Sequence, residues 1–232
     1  MSIRDNILQV QERLSEAAVR SGRTPEDITL IAVTKTVGIP EVKEAKAAGL
    51  SHFAENRVQL LMEKQEDAEL KYPVTDWHLI GHLQTNKVKY LMNRVSLIHS
   101  VDSLHLAEEI DKQAEKAGKI MPVLLELNIS GEESKFGLKP ENISEFLEGF
   151  SQLKCVKLKG LMTMAPQIAE ISEKRKIFRK LHNIYVDMSN KSIYNVDMSI
   201  MSMGMSNDFE VAVEEGSNMV RIGTSIFTGN KT

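Results

Sequence analysis

Hydrophobic positions along the chain switch between two periods. Ile3, Ile7, Val10, Leu14 and Ala18 recur at helical spacing behind a capping-box-like pair, Ser2 and Asp5, and predict an amphipathic helix over residues 2–22 that ends at Ser21-Gly22. Residues 28–33 then form an apolar, largely β-branched run without alternation, which is how a strand buried on both faces of a parallel sheet reads. Helical spacing resumes after Pro40, and the two patterns take turns to the end. Strands are predicted at 52–55, 77–82, 97–101, 123–128, 156–164, 196–203 and 219–227, with helices at 58–70, 87–92, 104–117, 143–153, 168–188 and 209–215.

Strict alternation of strand and helix implies parallel pairing through helical crossovers, and eight such units in about 200 residues match a small (β/α)8 TIM-type barrel. The expectation is therefore an α/β chain forming a single barrel domain over residues 1–232, with one extra N-terminal helix. An open doubly wound sheet is the alternative. Such sheets usually carry a glycine-rich dinucleotide loop after the first strand, and here that loop is Thr34-Lys35-Thr36. No linker-like Pro, Gly or Ser-rich tract interrupts the series.

Composition narrows the function classes more than the fold. With 42% hydrophobic and 26% charged residues the chain can bury a sizeable core. Net charge is 29 − 32 = −3 with both signs interspersed, which gives no reason to expect nucleic acid or an anionic membrane as partner. The first 14 residues carry Arg4 and Asp5 and lack the apolar core of a signal peptide, and no run reaches the roughly 20 apolar residues of a spanning helix, so a cytoplasmic protein is expected. Cys155 is the only cysteine, which excludes an intrachain disulfide and a cysteine-rich metal site.

In a barrel of this kind the chemistry gathers at the C-terminal ends of the strands. Lys35 leaves the first strand there, and an amine so placed is a covalent handle for a carbonyl ligand. Burial at the end of an apolar strand would depress its pKa from about 10.4 and free the nucleophilic amine, although a lone lysine after a strand is more often a solvated charge. Ser202-Met-Gly-Met-Ser206 runs toward a helix capped by Asn207 or Asp208, a natural anion site, and Arg221, Gly223 and Thr224 supply a second polar turn. Phosphate in such barrels is commonly bound after strands seven and eight, so a phosphorylated aldehyde would span from Lys35 to Ser206 and Thr224. His78 and His82 are read as sharing a strand face, but with no carboxylate in the adjacent loop no metal site is expected; His82 is assigned to the core or the pocket wall. Methionines 198, 201, 203, 205 and 219 are expected to fill the barrel, and residues 130–137 form a candidate lid, although a charged loop of this kind is more often merely solvated.

Seven segments together resemble a known family. Ala32-Val-Thr-Lys35, Phe53-Ala-Glu-Asn56, Trp77-His-Leu-Ile-Gly-His-Leu-Gln-Thr-Asn-Lys87, Gly131-Glu-Glu-Ser-Lys-Phe-Gly137, Gly160-Leu-Met-Thr-Met164, Ser202-Met-Gly-Met-Ser-Asn-Asp208 and Arg221-Ile-Gly-Thr224 are similar to the signature segments of the pyridoxal phosphate homeostasis protein family (the YggS and PROSC type). The resemblance spans nearly the whole chain. It implies a barrel like the N-terminal domain of alanine racemase, with pyridoxal 5′-phosphate (PLP) held as a Schiff base on Lys35. It further implies phosphate contacts from Ser206, Gly223 and Thr224, Arg221 at the pyridine nitrogen, and Asn56 near the ring. A cation at that nitrogen disfavours its protonation and weakens the cofactor as an electron sink.

What the resemblance implies for function is carriage: the protein buffers PLP, delivers it to PLP-dependent apo-enzymes, and supports vitamin B6 and amino-acid/keto-acid homeostasis, with no established catalytic activity. Alanine racemases add a C-terminal domain whose tyrosine acts on the opposite face, and no such segment follows the last strand here. Two rivals stay open. One is a weak PLP enzyme, such as an amino-acid racemase using Lys35 with His82 or Tyr194; the other is a Schiff-base aldolase acting on a sugar phosphate. A monomer is expected, since the exposed helices show no obvious apolar patch.

Overall fold

The computed structural model describes residues 2–132 and 135–229, and it places each of the eight apolar runs in a strand. These are β1 (Thr29–Val33), β2 (His52–Glu55), β3 (Asp76–Leu79), β4 (Leu97–Val101), β5 (Met121–Glu126), β6 (Val156–Met162), β7 (Val196–Ser202) and β8 (Met219–Ile222). Each pairs in parallel with its sequence neighbours, and β8 returns to β1 along Thr29↔Met219 to Ala32↔Ile222, closing a barrel. The open-sheet alternative is thereby excluded. Helices α1 (Ile3–Arg20), α2 (Ile39–Ala47), α3 (Val58–Lys64), α4 (Leu104–Lys116), α5 (Ile143–Phe150), α6 (Ile171–Ser189), α7 (Phe209–Glu214) and α8 (Thr224–Phe227) surround it. Among the described residues no helix is long and apolar enough to cross a membrane.

Side chains alternate across each strand, so a parallel barrel has two apolar layers. The outer one, between sheet and helices, holds the large residues Trp77, Phe53, Phe150, Phe178 and Phe209, all fully buried. The inner one is small: Ile31, Ala54, Leu97, Leu124, Met162 and Met219. Trp77 donates its indole N–H to the Leu70 carbonyl at 2.6 Å, so the largest outer-layer side chain is also satisfied. The leading helix forms with the expected Ser2–Asp5 capping box and buries Ile7, Val10 and Leu14. It packs on α7 and α8, where the buried Asn6 amide donates to the Ile226 carbonyl at 2.9 Å and Arg13 makes a bidentate pair with Glu210.

Several boundaries differ from the reading of the sequence. The run 219–227 is not one strand: β8 stops at Ile222 and the chain turns at Gly223 into α8. Residues 85–90 form a 3-10 helix, α3 stops at Lys64, and α6 starts at Ile171, leaving Ile168 almost fully exposed. The methionines also divide. Only Met219 of the five lies inside the barrel; Met201 and Met203 pack in the outer layer, Met198 is half-buried against it, and Met205 lies in a cavity at the mouth.

Candidate functional site

A cavity of about 280 Å³ opens at the C-terminal ends of the strands, and Lys35, Asn56, Ser206, Arg221, Gly223 and Thr224 all line it. Six residues separated by up to 189 positions are thus brought together by barrel closure. A larger groove of about 800 Å³ lies between the ends of α1 and α7 and the flank of α6, but its charged groups have protein partners, Arg179 pairing with Glu215 and Arg23 donating to the Ser217 carbonyl. The smaller cavity keeps one amine, Lys35, and the Asn56 amide oxygen unspent.

Lys35 stands on the loop after β1, and that loop is pinned from behind. Thr34 is buried; its backbone N–H donates to Ala54 O at 2.9 Å and its hydroxyl to Glu55 Oε1 at 2.6 Å. Glu55 is fully buried and pairs with Lys64 from α3, whose ammonium also donates to the Thr34 carbonyl at 2.7 Å. This buried carboxylate–ammonium pair fixes the exit of β1 and sends Lys35 toward the cavity. Lys35 itself is exposed, contrary to the expectation that it would be buried, because the apolar strand ends at Val33 and the buried threonine comes before the lysine. It has no ion-pair partner among the described residues.

Opposite stand two turns. Ser206 lies in the loop after β7, and its hydroxyl accepts from the Ser225 N–H at 3.3 Å, tying that loop to the first turn of α8. Gly223 lies against β1, where an added Cβ would come within 3.0 Å of the Val33 carbonyl. The chain turns at Gly223 into the short helix α8, which the single long strand predicted over 219–227 had not shown. Asp208 occupies the cap position of α7 without making the cap bond. Its carboxylate turns back to the Met205 N–H at 2.6 Å and to Lys174 of α6 at 3.3 Å, a buried ion pair that holds the Ser206 loop.

Arg221 forms the floor. It is buried, donates from Nη1 to Ser202 Oγ at 2.5 Å and from Nη2 to the Thr163 carbonyl at 2.9 Å. Desolvation draws its pKa down to about 10, against the pull of Glu126 and Asp208. Glu126, buried at the end of β5, is pushed up to about 7 by burial and by Asp102, with Arg221 opposing. Behind Ser202 the polar column continues: His99 Nδ1 is 3.1 Å from Ser202 Oγ, and His99 Nε2 is 3.0 Å from His78 Nδ1. Burial holds His99 well below the usual histidine range, reinforced by His78 and Arg221, so its ring is neutral.

Gly81, Met164, Gln167, Lys174 and Met205 complete much of the lining; Gln167 and Lys174 were not singled out in the sequence, and Gly81 and Met164 were given no role there. Gly81 had a readable signal, a glycine inside the predicted strand 77–82 that marks a close backbone approach: a Cβ there would come within 2.2 Å of the Asn56 carbonyl. Three expectations fail. His82 does not share a strand face with His78, since β3 ends at Leu79; it is on the mouth loop, stacked on Phe136 at 4.0 Å and 3.6 Å from Asp102. It belongs neither to the core nor to the cavity wall. Tyr194 is exposed and precedes β7, at the opposite end of the barrel from the cavity. Of the candidate lid, Glu133 and Ser134 lie outside the described residues.

Comparison with known proteins gives a consistent neighbourhood. The profile of the family described as alanine racemase, N-terminal domain, matches residues 2–231. A pyridoxal phosphate homeostasis protein of Aquifex aeolicus is 44% identical over 231 residues, covering 100% of both chains. The structure of PipY from Synechococcus elongatus PCC7942 with PLP bound superposes with a TM-score of 0.81 at 35% identity, covering 94% of this chain and 99% of that one. An alanine racemase of Clostridium difficile 630 shares the fold alone, with a TM-score of 0.71 at 16% identity over 97% of this chain and 56% of its own.

Proposed function

Given that the chain belongs to the pyridoxal phosphate homeostasis protein family, with a barrel of the alanine racemase N-terminal type, we propose that the cavity binds pyridoxal 5′-phosphate and that the protein carries and buffers this cofactor in support of vitamin B6 and amino-acid/keto-acid balance. The observation that carries this reading is the convergence of an unpaired amine, Lys35, and a two-loop anion site on one small cavity. The donor set fits the group. Lys35 is the amine that holds the aldehyde as a Schiff base, with loss of water, while Ser206, Gly223 and Thr224 receive the phosphate at the start of α8. Asn56 Oδ1 is a buried acceptor without a protein partner, as expected of an atom that meets a ligand beside the ring.

Arg221 is the ring-nitrogen neighbour in this reading, held by Ser202 and Thr163. When bound, PLP supplies an electron sink to amine chemistry, and an arginine at its ring nitrogen weakens that sink by opposing protonation there. Neither His82 nor Tyr194 lines the cavity, so the two residues considered as an opposite-face acid for racemisation are out of place. Both facts favour carriage over turnover. The whole chain then acts as one cofactor-binding barrel domain, cytoplasmic and monomeric, with PLP-dependent apo-enzymes as recipients. Its exposed large apolar residues, such as Val19, Val74 and Ile120, are scattered over different elements.

Titration of the purified protein with PLP tests the reading. A saturable visible absorption band at one equivalent per chain is expected. Ser206→Ala should retain the band but weaken binding by about 1–3 kcal/mol, the range for hydrogen bonds to a charged group. A protein that develops no band contradicts the proposal, and an unchanged affinity in Ser206→Ala moves the phosphate elsewhere.

A further inference from the structure

Among the described residues, four buried side-chain polar atoms lack a hydrogen-bond partner: Asn56 Oδ1 at the cofactor cavity, and His52 Nδ1, Asp76 Oδ1 and His78 Nε2. The last three belong to one cluster at the other end of the barrel. His52 opens β2 and Asp76 opens β3, and the two are register partners, so their side chains leave the same face; His78, two residues further along β3, repeats that face. One ligating atom from each lies within 4.8 Å of the others.

We propose that His52, Asp76 and His78 form a binding site for a divalent first-row transition metal, zinc above all. Two imidazole nitrogens and a carboxylate oxygen are a donor set that suits zinc, whereas calcium and magnesium take oxygen ligands. Tetrahedral zinc with bonds of about 2.0–2.2 Å holds its ligand atoms about 3.3 Å apart. His52 Nδ1 and His78 Nε2 lie 3.0 Å and 3.8 Å from Asp76 Oδ2, on either side of that spacing. Three protein donors leave the fourth position to water.

The innermost ligand is built for the role. His78 has a side chain only 4% exposed, with Nε2 aimed into the cluster and Nδ1 against His99. When Nδ1–H donates to His99 Nε2, the Nε2 lone pair is left to the cluster, the outer-shell arrangement that fixes a metal-binding imidazole. In the ion-pair reading both imidazoles lean on the one oxygen, Asp76 Oδ2, and Asp76 Oδ1 keeps no partner. His52 and Asp76 are about one-third exposed, which gives an ion a path in.

Titration of the untagged full-length protein at neutral pH with Zn²⁺ by calorimetry and with Co²⁺ by visible absorption tests the site. One metal per chain is expected, with cobalt bands of a low-coordinate nitrogen/oxygen site. His52→Ala and Asp76→Asn should each weaken binding at least tenfold, with the circular dichroism spectrum and PLP affinity unchanged because the cavity lies at the opposite end. If one variant does not fold, the other carries the comparison. Absence of binding at one equivalent, or binding untouched by either substitution, overturns the proposal and leaves a histidine–aspartate ion-pair cluster.

Discussion

Arg221 and Glu126 share the barrel interior beneath the cavity, where burial shifts both and each opposes the shift of the other. Glu126 has its pKa raised from 4.5 to about 7, chiefly by burial. Between those values the folded protein binds the proton more tightly than the unfolded chain, so this group's stabilising contribution is full below pH 4.5 and is lost as pH rises through about 7. Relative to Glu126→Gln, the wild type should therefore lose about 2–3 kcal/mol of stability from pH 5 to pH 8, at about 1.4 kcal/mol per pKa unit. Denaturant unfolding of both proteins at the two pH values checks this, and parallel behaviour would count against a protonated Glu126. Arg221→Gln should loosen PLP and alter its absorption, since the ring nitrogen loses its cationic neighbour; an unchanged spectrum and affinity would remove Arg221 from that role. Lys35 and Ser206 were legible in the sequence because each lies shortly past an apolar run, where a barrel collects its chemistry; Arg221 was read only as part of a polar turn, although it lies within β8. The contacts of Ser202, Thr163 and His99 were not, because which residues of a strand face the interior and meet one another follows from closure and register, and neither shows in the sequence of a single run.

At the scale of elements, buried strands are the most readable part of the chain and their ends the least. β2 and β4 match their predicted limits because a change to polar residues ends each run. The run from Met219 to Phe227 carries apolar residues on both sides of Gly223, Val220 and Ile222 before it and Ile226 and Phe227 after it, so strand and helix merge in sequence, and only the turn at the glycine separates them. The same continuity carried β3 too far and put His82 on a strand. Gly81 is the physical stop: the end of β3 passes so close to Asn56 that no Cβ fits. Gly81→Ala should cost about 1–3 kcal/mol or more of stability, as overpacking against backbone does, and should weaken PLP binding by displacing Asn56. Thermal unfolding and PLP titration of the variant measure both, and a fully stable Gly81→Ala with wild-type affinity would mean that β2 and β3 part without cost.

For the molecule as a whole, closing the sheet has two consequences. It joins the loops after β1, β7 and β8, which are far apart in sequence, into one cavity with an amine on one side and anion donors on the other. It also sets a polar column down the interior, from Arg221 through Ser202 and His99 to His78, so that the floor of the cavity is held by hydrogen bonds instead of loose apolar packing. The proposed function rests on the first consequence, which would let the cavity grip a phosphorylated aldehyde at both ends. The most direct test is borohydride reduction of the PLP-loaded protein followed by peptide mass mapping, with Lys35→Ala alongside. Reduced cofactor mass on the peptide containing Lys35, and none in the variant, is the predicted result; reduced cofactor on another lysine, or undiminished labelling of Lys35→Ala, would contradict the assignment of the cavity as the cofactor site.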